Sequence, residues 1–153
     1  MGLYMYELMT NQGWNVDITR KDDIDLPPGE RTEIVRNSGA DICLSLHINA
    51  FNGEAKGAET IHSIHSDGKL ATKILDRIVK SGMDRRRVFS RESERNPGQD
   101  YYFMHRETGS VQTVIIEYGF IDNWEDRQKL KNSDNRKMLV KATIEGLKNY
   151  LEN

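Results

Sequence analysis

The chain is poor in cysteine. One residue, Cys43, in 153 excludes an internal disulfide framework. It sits within an apolar run, which reads as a buried, inert thiol. The chain also lacks an excess of either charge: 22 Lys and Arg oppose 24 Asp and Glu, for a net charge of −2. At a pI near 6.1 there is no global electrostatic reason to bind nucleic acid. Mean hydropathy is −0.71, and no apolar run approaches the ~18 residues of a membrane span. No basic segment precedes an apolar one at the start, so no signal peptide is read. Met1-Gly2 opens like a myristoylation signal, but Tyr6 stands where that signal needs Ser or Thr. Repeats and low-complexity stretches are absent.

What is present suits one domain, because a chain of this length can bury roughly 68–70% of its unfolded surface. Met1, Met5, Leu8 and Met9 follow helical spacing, and Gly13 follows as a stop. No Ser, Thr, Asp or Asn caps that first turn, so the helix reads as cut into rather than begun. Trp14 to Arg20 alternates like a half-buried strand. Residues 30–38 read as a short helix, and 41–48 as a strand dense enough in apolar residues to be covered on both faces. Another strand is expected over 57–65 and a helix over 69–80. An arginine-rich loop follows over 84–100, then a short strand over 101–104. A second central strand is expected over 111–118, with Gly119 ending it. Asp122 or Asn123 can cap a helix holding Trp124 and Leu130, and Ser133 or Asp134 the last one. The alternation predicts an α/β class: a single-domain three-layer sandwich, its mixed, mostly parallel sheet flanked by helices.

Two of these strands end in an ionisable residue before a turn: His47 in Leu46-His47-Ile48-Asn49, and Glu117 in Ile116-Glu117-Tyr118-Gly119. Ligands of open α/β sheets bind beyond the carboxyl ends of central strands. A His and a Glu delivered there suit a metal site or an acid/base pair. The plain alternative is a hydrogen-bonded His and a salt-bridged Glu. A carboxylate after Val-Ile-Ile needs a cation or strong hydrogen bonds to stay ionised.

Ser45-Leu46-His47-Ile48-Asn49-Ala50, then Gly57-Ala58-Glu59, then Ile116-Glu117-Tyr118-Gly119-Phe120-Ile121-Asp122-Asn123 resemble the zinc-dependent N-acetylmuramoyl-L-alanine amidases of the amidase 3 type. These are bacterial cell-wall hydrolases and phage endolysin domains. Gly13-Trp14-Asn15-Val16, Thr19-Arg20, Arg31, Asn37 and the stretch from Asp126 to Leu130 extend the resemblance over essentially all of residues 1–153. The resemblance implies cleavage of the amide between N-acetylmuramic acid and L-alanine in peptidoglycan. It implies one Zn2+ held by His, Glu and His, with His47 as the last ligand and Glu117 as the catalytic base.

The match departs from the family at one end. The family's first two ligands lie in a Gly-His-Gly-Gly turn and a following Glu. Here no Gly-His-Gly occurs, and the first glutamate is Glu7, too far along the helix. The resemblance thus implies that the family's first strand, its turn and a helical lead-in, about 20–30 residues, are missing from the domain. That loss would expose a sheet edge and invite association with a second or full-length copy. It also opens an alternative: a non-catalytic module that binds wall or a partner. Cytoplasmic synthesis followed by release to the wall, as for a phage lysin, and an N-terminus lying outside this chain are both open.

His62 and His65 differ by three on one expected strand, so they point to opposite faces; one could face the cleft. His105, after an aromatic run, suits a structural or substrate-side role. Arg85, Arg86, Arg87, Arg91, Arg95 and Arg106 form the basic cluster. Arg87 is the candidate there for clamping stem-peptide carboxylates. A solvated loop balanced by Asp84, Glu92 and Glu94 is the alternative. Asn49 either orients substrate or braces the turn after His47.

Overall fold

A computed structural model describes residues 1–152. The helices are α1 (Gly2–Asn11), α2 (Pro28–Asn37), α3 (Lys69–Lys80), α4 (Phe103–Arg106), α5 (Trp124–Lys131) and α6 (Ser133–Leu151). The strands are β1 (Ile42–Asn49), β2 (Ala58–His62), β3 (Arg85–Phe89) and β4 (Gln112–Phe120), in the order β1-β4-β2-β3. The β1–β4 and β2–β3 pairs are parallel, and β2–β4 is antiparallel. The expected mixed, mostly parallel sheet between helical layers is therefore what forms.

Alternation along each strand sorts the residues between two cores. On one face Val114, Ile116 and Tyr118 of β4 pack with Met5 and Met9 of α1, Leu70, Ile74 and Ile78 of α3, and Leu139 and Leu147 of α6. Each Leu or Ile fully buried there contributes about 1.5–3 kcal/mol. Helices α3 and α6 approach closely because Gly146 has no side chain. A Cβ at that position would lie 2.5 Å from Ile74 Cα. On the other face Ile61, Val111 and Ile115 pack with Val35 of α2 and Met104 of α4, flanked by Cys43 and Phe89. Burial pushes the Cys43 thiol up to about 11, so it is inert at neutral pH, as expected.

Several local expectations change. Trp14 to Arg20 does not form a strand. Trp14 and Val16 do pack against the larger core, so the alternation reports burial. Among the described residues no strand lies beside the segment to complete a ladder. Arg85–Phe89, expected as loop, is edge strand β3, where arginine stems lie along the sheet while their heads reach water. Residues 103–106 form a helical turn rather than a strand. The cap of α5 is the expected Asn123, whose Oδ1 accepts from the Glu125 and Asp126 N–H groups. The last helix is capped not by Ser133 or Asp134, which lie inside it, but by Asn132, whose side chain accepts from the Asp134 and Asn135 N–H groups.

Candidate active site

In an antiparallel or parallel pair, residues in register point to the same face. His47 of β1 is in register with Glu117 of β4. Glu117 is in register with Glu59 of β2, and Glu59 with Arg87 of β3. One row thus crosses all four strands: imidazole, carboxyl, carboxyl, guanidinium. It lies near the carboxyl ends of β1 and β4, on the face that carries α2 and α4.

His47 and Glu117 reach that row because their strands run parallel and end together. The His47 Nε2 lies 2.8 Å from Ser45 Oγ, two residues back on the same face. Burial, and secondarily the positive charge of Arg31, lowers the His47 pKa, so its ring is neutral at pH 7. Glu117 Oε2 is buried with no hydrogen-bond partner. Burial first, then the charge of Glu59, raises the Glu117 pKa to about 7. A carboxyl with that pKa exchanges a proton readily at neutral pH, the property a general base needs.

Glu59 is the residue that sequence reasoning passed over as a site member. Its side chain is buried, and its Oε1 accepts from Asn49 Nδ2 at 3.1 Å. Its Oε2 accepts from Arg86 Nε at 3.0 Å and Arg87 Nε at 2.8 Å. The signal was present: an acidic residue at an inward position of an apolar strand needs cations, and three arginines stand at 85–87. Asn49 and Arg87, both named from sequence, are brought together by this carboxylate.

The other histidines lie elsewhere. His62 is in register with Val114, on the opposite face from Glu117, and its ring packs against Gly68. His65 falls beyond β2 in a turn. His65 and His105 line a cavity with Ser63, Ser66 and Tyr150, at the end of the sheet away from Glu117. The His105 ring makes no well-formed hydrogen bond, although backbone groups of Ile61 and Thr113 lie near it.

The loop that follows β1 is tied to the end of β4. Asp122 Oδ2 accepts from the N–H groups of Phe51 and Gly53, both at 2.9 Å. These bonds, the Phe51 one foremost, hold the Asp122 pKa below the usual carboxylate range. Buried Asp126 accepts from Gly57 N at 2.8 Å and Phe120 N at 2.9 Å. Gly119 is what leaves room for it: a Cβ there would stand 2.9 Å from Asp126 Oδ2.

A family model described as N-acetylmuramoyl-L-alanine amidase matches residues 1–149. An uncharacterized cell wall amidase of Bacillus anthracis is 28% identical over 127 residues, covering 81% of this chain and 24% of its own length. The solved structure of Cwp6 from Clostridium difficile is 29% identical, with a TM-score of 0.82 over 95% of this chain and 23% of that one. An N-acetylmuramoyl-L-alanine amidase from Clostridium difficile 630 shares the fold at 23% identity, with a TM-score of 0.84 over 99% of this chain and 80% of that one. The chain thus spans about a quarter of the length of the first two proteins.

Proposed function

This chain belongs to the N-acetylmuramoyl-L-alanine amidase family, and on that premise we propose that it hydrolyses the amide joining N-acetylmuramic acid to the L-alanine of the stem peptide, at the bacterial cell wall. The observation that supports this reading is Glu117 itself: a carboxyl with one unpartnered oxygen and a pKa near 7, beside a neutral imidazole. Glu117 takes the proton of the attacking water and returns it to the departing alanine nitrogen. Arg87 lies on the substrate side and holds a stem-peptide carboxylate, while Asn49, which donates to Glu59 Oε1 and accepts from the Ala50 N–H, braces the turn after His47.

Zinc is the cofactor that the resemblance implies, and it would supply a Lewis acid for the amide carbonyl. His47 is the residue that would hold it. Among the described residues, no three His, Cys, Asp or Glu side chains gather as a metal-ligand set. Glu59, the nearest further carboxylate in the row, is already occupied by Asn49 and two arginines. The residues described thus supply one donor and do not complete a site, and no step above passes through the metal. A polypeptide of these 153 residues is expected to hold zinc weakly, well below one equivalent after dialysis, because one imidazole binds far less than a three-ligand site. Metal analysis with intact mass checks this. Tight stoichiometric zinc would overturn it.

Digestion of purified peptidoglycan tests the function. New alanine N-termini without new reducing sugar ends are expected. The second reading, a module that binds wall or partner without turnover, is favoured by the single imidazole donor. It predicts sedimentation with walls and no new amine.

A further inference from the structure

Glu59 sits between Glu117 and Arg87 in the row, with a side chain only 3% exposed. One carboxylate faces two guanidinium groups, so the cluster keeps an excess positive charge. The two arginines are held differently. Arg86 lies over the Phe120 ring, 5.1 Å from its centroid, with 33% of its side chain exposed. Arg87 stacks 3.9 Å from the Phe89 centroid and is 52% exposed. Its Nε is spent on Glu59. Its two terminal nitrogens make no hydrogen bond with any described residue. The guanidinium is therefore gripped at one edge by a buried carboxylate and on one face by an aromatic ring, with its other edge open. A group fixed in this way has little freedom left to lose on binding, and the open edge matches a carboxylate's two oxygens.

The spacing also matters. Arg87 is two strands from Glu117, about 10 Å between backbones at ~4.8 Å per strand. An extended peptide advances roughly 3.3–3.6 Å per residue. The roughly 10 Å between backbones would take about three residues. Arg87 Nε, however, reaches back to Glu59, only one strand (~4.8 Å) from Glu117, so a peptide whose first amide lies at Glu117 presents its second residue to the guanidinium.

We propose that Glu59 is a positioning residue that holds Arg87 open for the free carboxylate on the second residue of the stem peptide, so that the site distinguishes a carboxylate there from a carboxamide. The identity of this ligand rests on the amidase reading. Glu59 touches no substrate and acts through Arg87, with Asn49 fixed by its other oxygen.

The test is a pair of ligands whose second-residue γ-carboxyl is already amide-linked, N-acetylmuramoyl-L-alanyl-γ-D-glutamyl-L-lysinamide and its D-isoglutaminyl counterpart, titrated calorimetrically against the wild-type chain, Glu59→Gln and Arg87→Lys. Wild type is expected to prefer the carboxylate by roughly tenfold. Glu59→Gln offers Arg87 an amide in place of a charge, and its preference should fall to within about twofold. A purely structural loss would weaken both ligands equally and leave the ratio intact. Arg87→Lys keeps the charge but not the fork, and should also lose most of the preference. If Glu59→Gln does not fold, Arg87→Lys alone decides. A wild-type ratio near one, or a ratio that survives either substitution, overturns the proposal. Selective binding without any cleavage of walls would instead sink the amidase reading and leave the carboxylate site standing. Cleavage without selectivity does the reverse.

Discussion

Glu117→Gln is expected to lower amide hydrolysis by about 10³-fold, within the range for loss of a positioned general base. The substitution keeps the shape of the side chain and removes its ability to accept a proton. In wild type, kcat/KM should climb with pH up to about 7, because Glu117 works only when ionised and its pKa is raised to about 7. The same change should make the fold more stable at alkaline pH. A carboxyl whose folded pKa lies above its unfolded value favours folding while protonated. That advantage is lost as pH rises from about 4.5 through 7, when a half-buried charge must be carried beside Glu59. Gln never carries that charge. Urea denaturation at pH 5 should therefore find the two proteins alike. At pH 8 the variant should be more stable by about 1–2 kcal/mol, discounted for partial solvent access. Lost activity together with lost stability at pH 8 would mean that Glu117 is a structural residue.

Much of this site was legible in the sequence, because β1 and β4 read as apolar runs. Only β4 is covered on both faces, whereas β1, expected to be covered likewise, is a half-exposed strand at the sheet edge. Such runs announce where they end, and His47 and Glu117 stand at the ends. The partner that joins them was harder to see. Glu59 acquires its meaning from register: the antiparallel pairing of β2 with β4 sets it beside Glu117, and the parallel pairing with β3 brings Arg87 to its other side. No local pattern encodes either pairing. Strand β3 was hidden for a related reason, since three successive arginines resemble a loop until a neighbouring carboxylate and the rings of Phe89 and Phe120 account for two of them. Trp14 to Arg20 shows the converse. Its alternation correctly marks which side chains turn inward, but a strand also needs a neighbour's N–H and C=O groups, and side-chain pattern says nothing of those. His62 and His65 were separated by the end of β2, which leaves only His62 on the strand, facing away from the site.

Asp126→Ala should be the most damaging substitution for the fold around the site, although Asp126 touches neither His47 nor Glu117. Its carboxyl is fully buried and accepts from the backbone of Gly57, just before β2, and of Phe120, at the end of β4. Alanine leaves two buried N–H groups without a partner, at about 1–3 kcal/mol each. Against this, one carboxyl oxygen, Oδ1, has no partner in the native structure, and its removal returns part of the loss. The orphaned donors outnumber it, so a net loss of about 3 kcal/mol is expected. For a domain of this size that lowers Tm by roughly 6–12 °C. Asp126→Asn retains an acceptor oxygen at the same place and should lose about 1 kcal/mol. The consequence for activity follows from the two bonds. Gly57 lies two residues before Glu59 and Phe120 three after Glu117, so this carboxyl holds together the two strands whose glutamates face each other. Assayed well below its Tm, where it is fully folded, Asp126→Ala should still turn over severalfold more slowly than wild type. An unchanged rate in folded protein, or a Tm within 2 °C of wild type, would show that the main-chain pairing of β2 with β4 holds the row in place without Asp126.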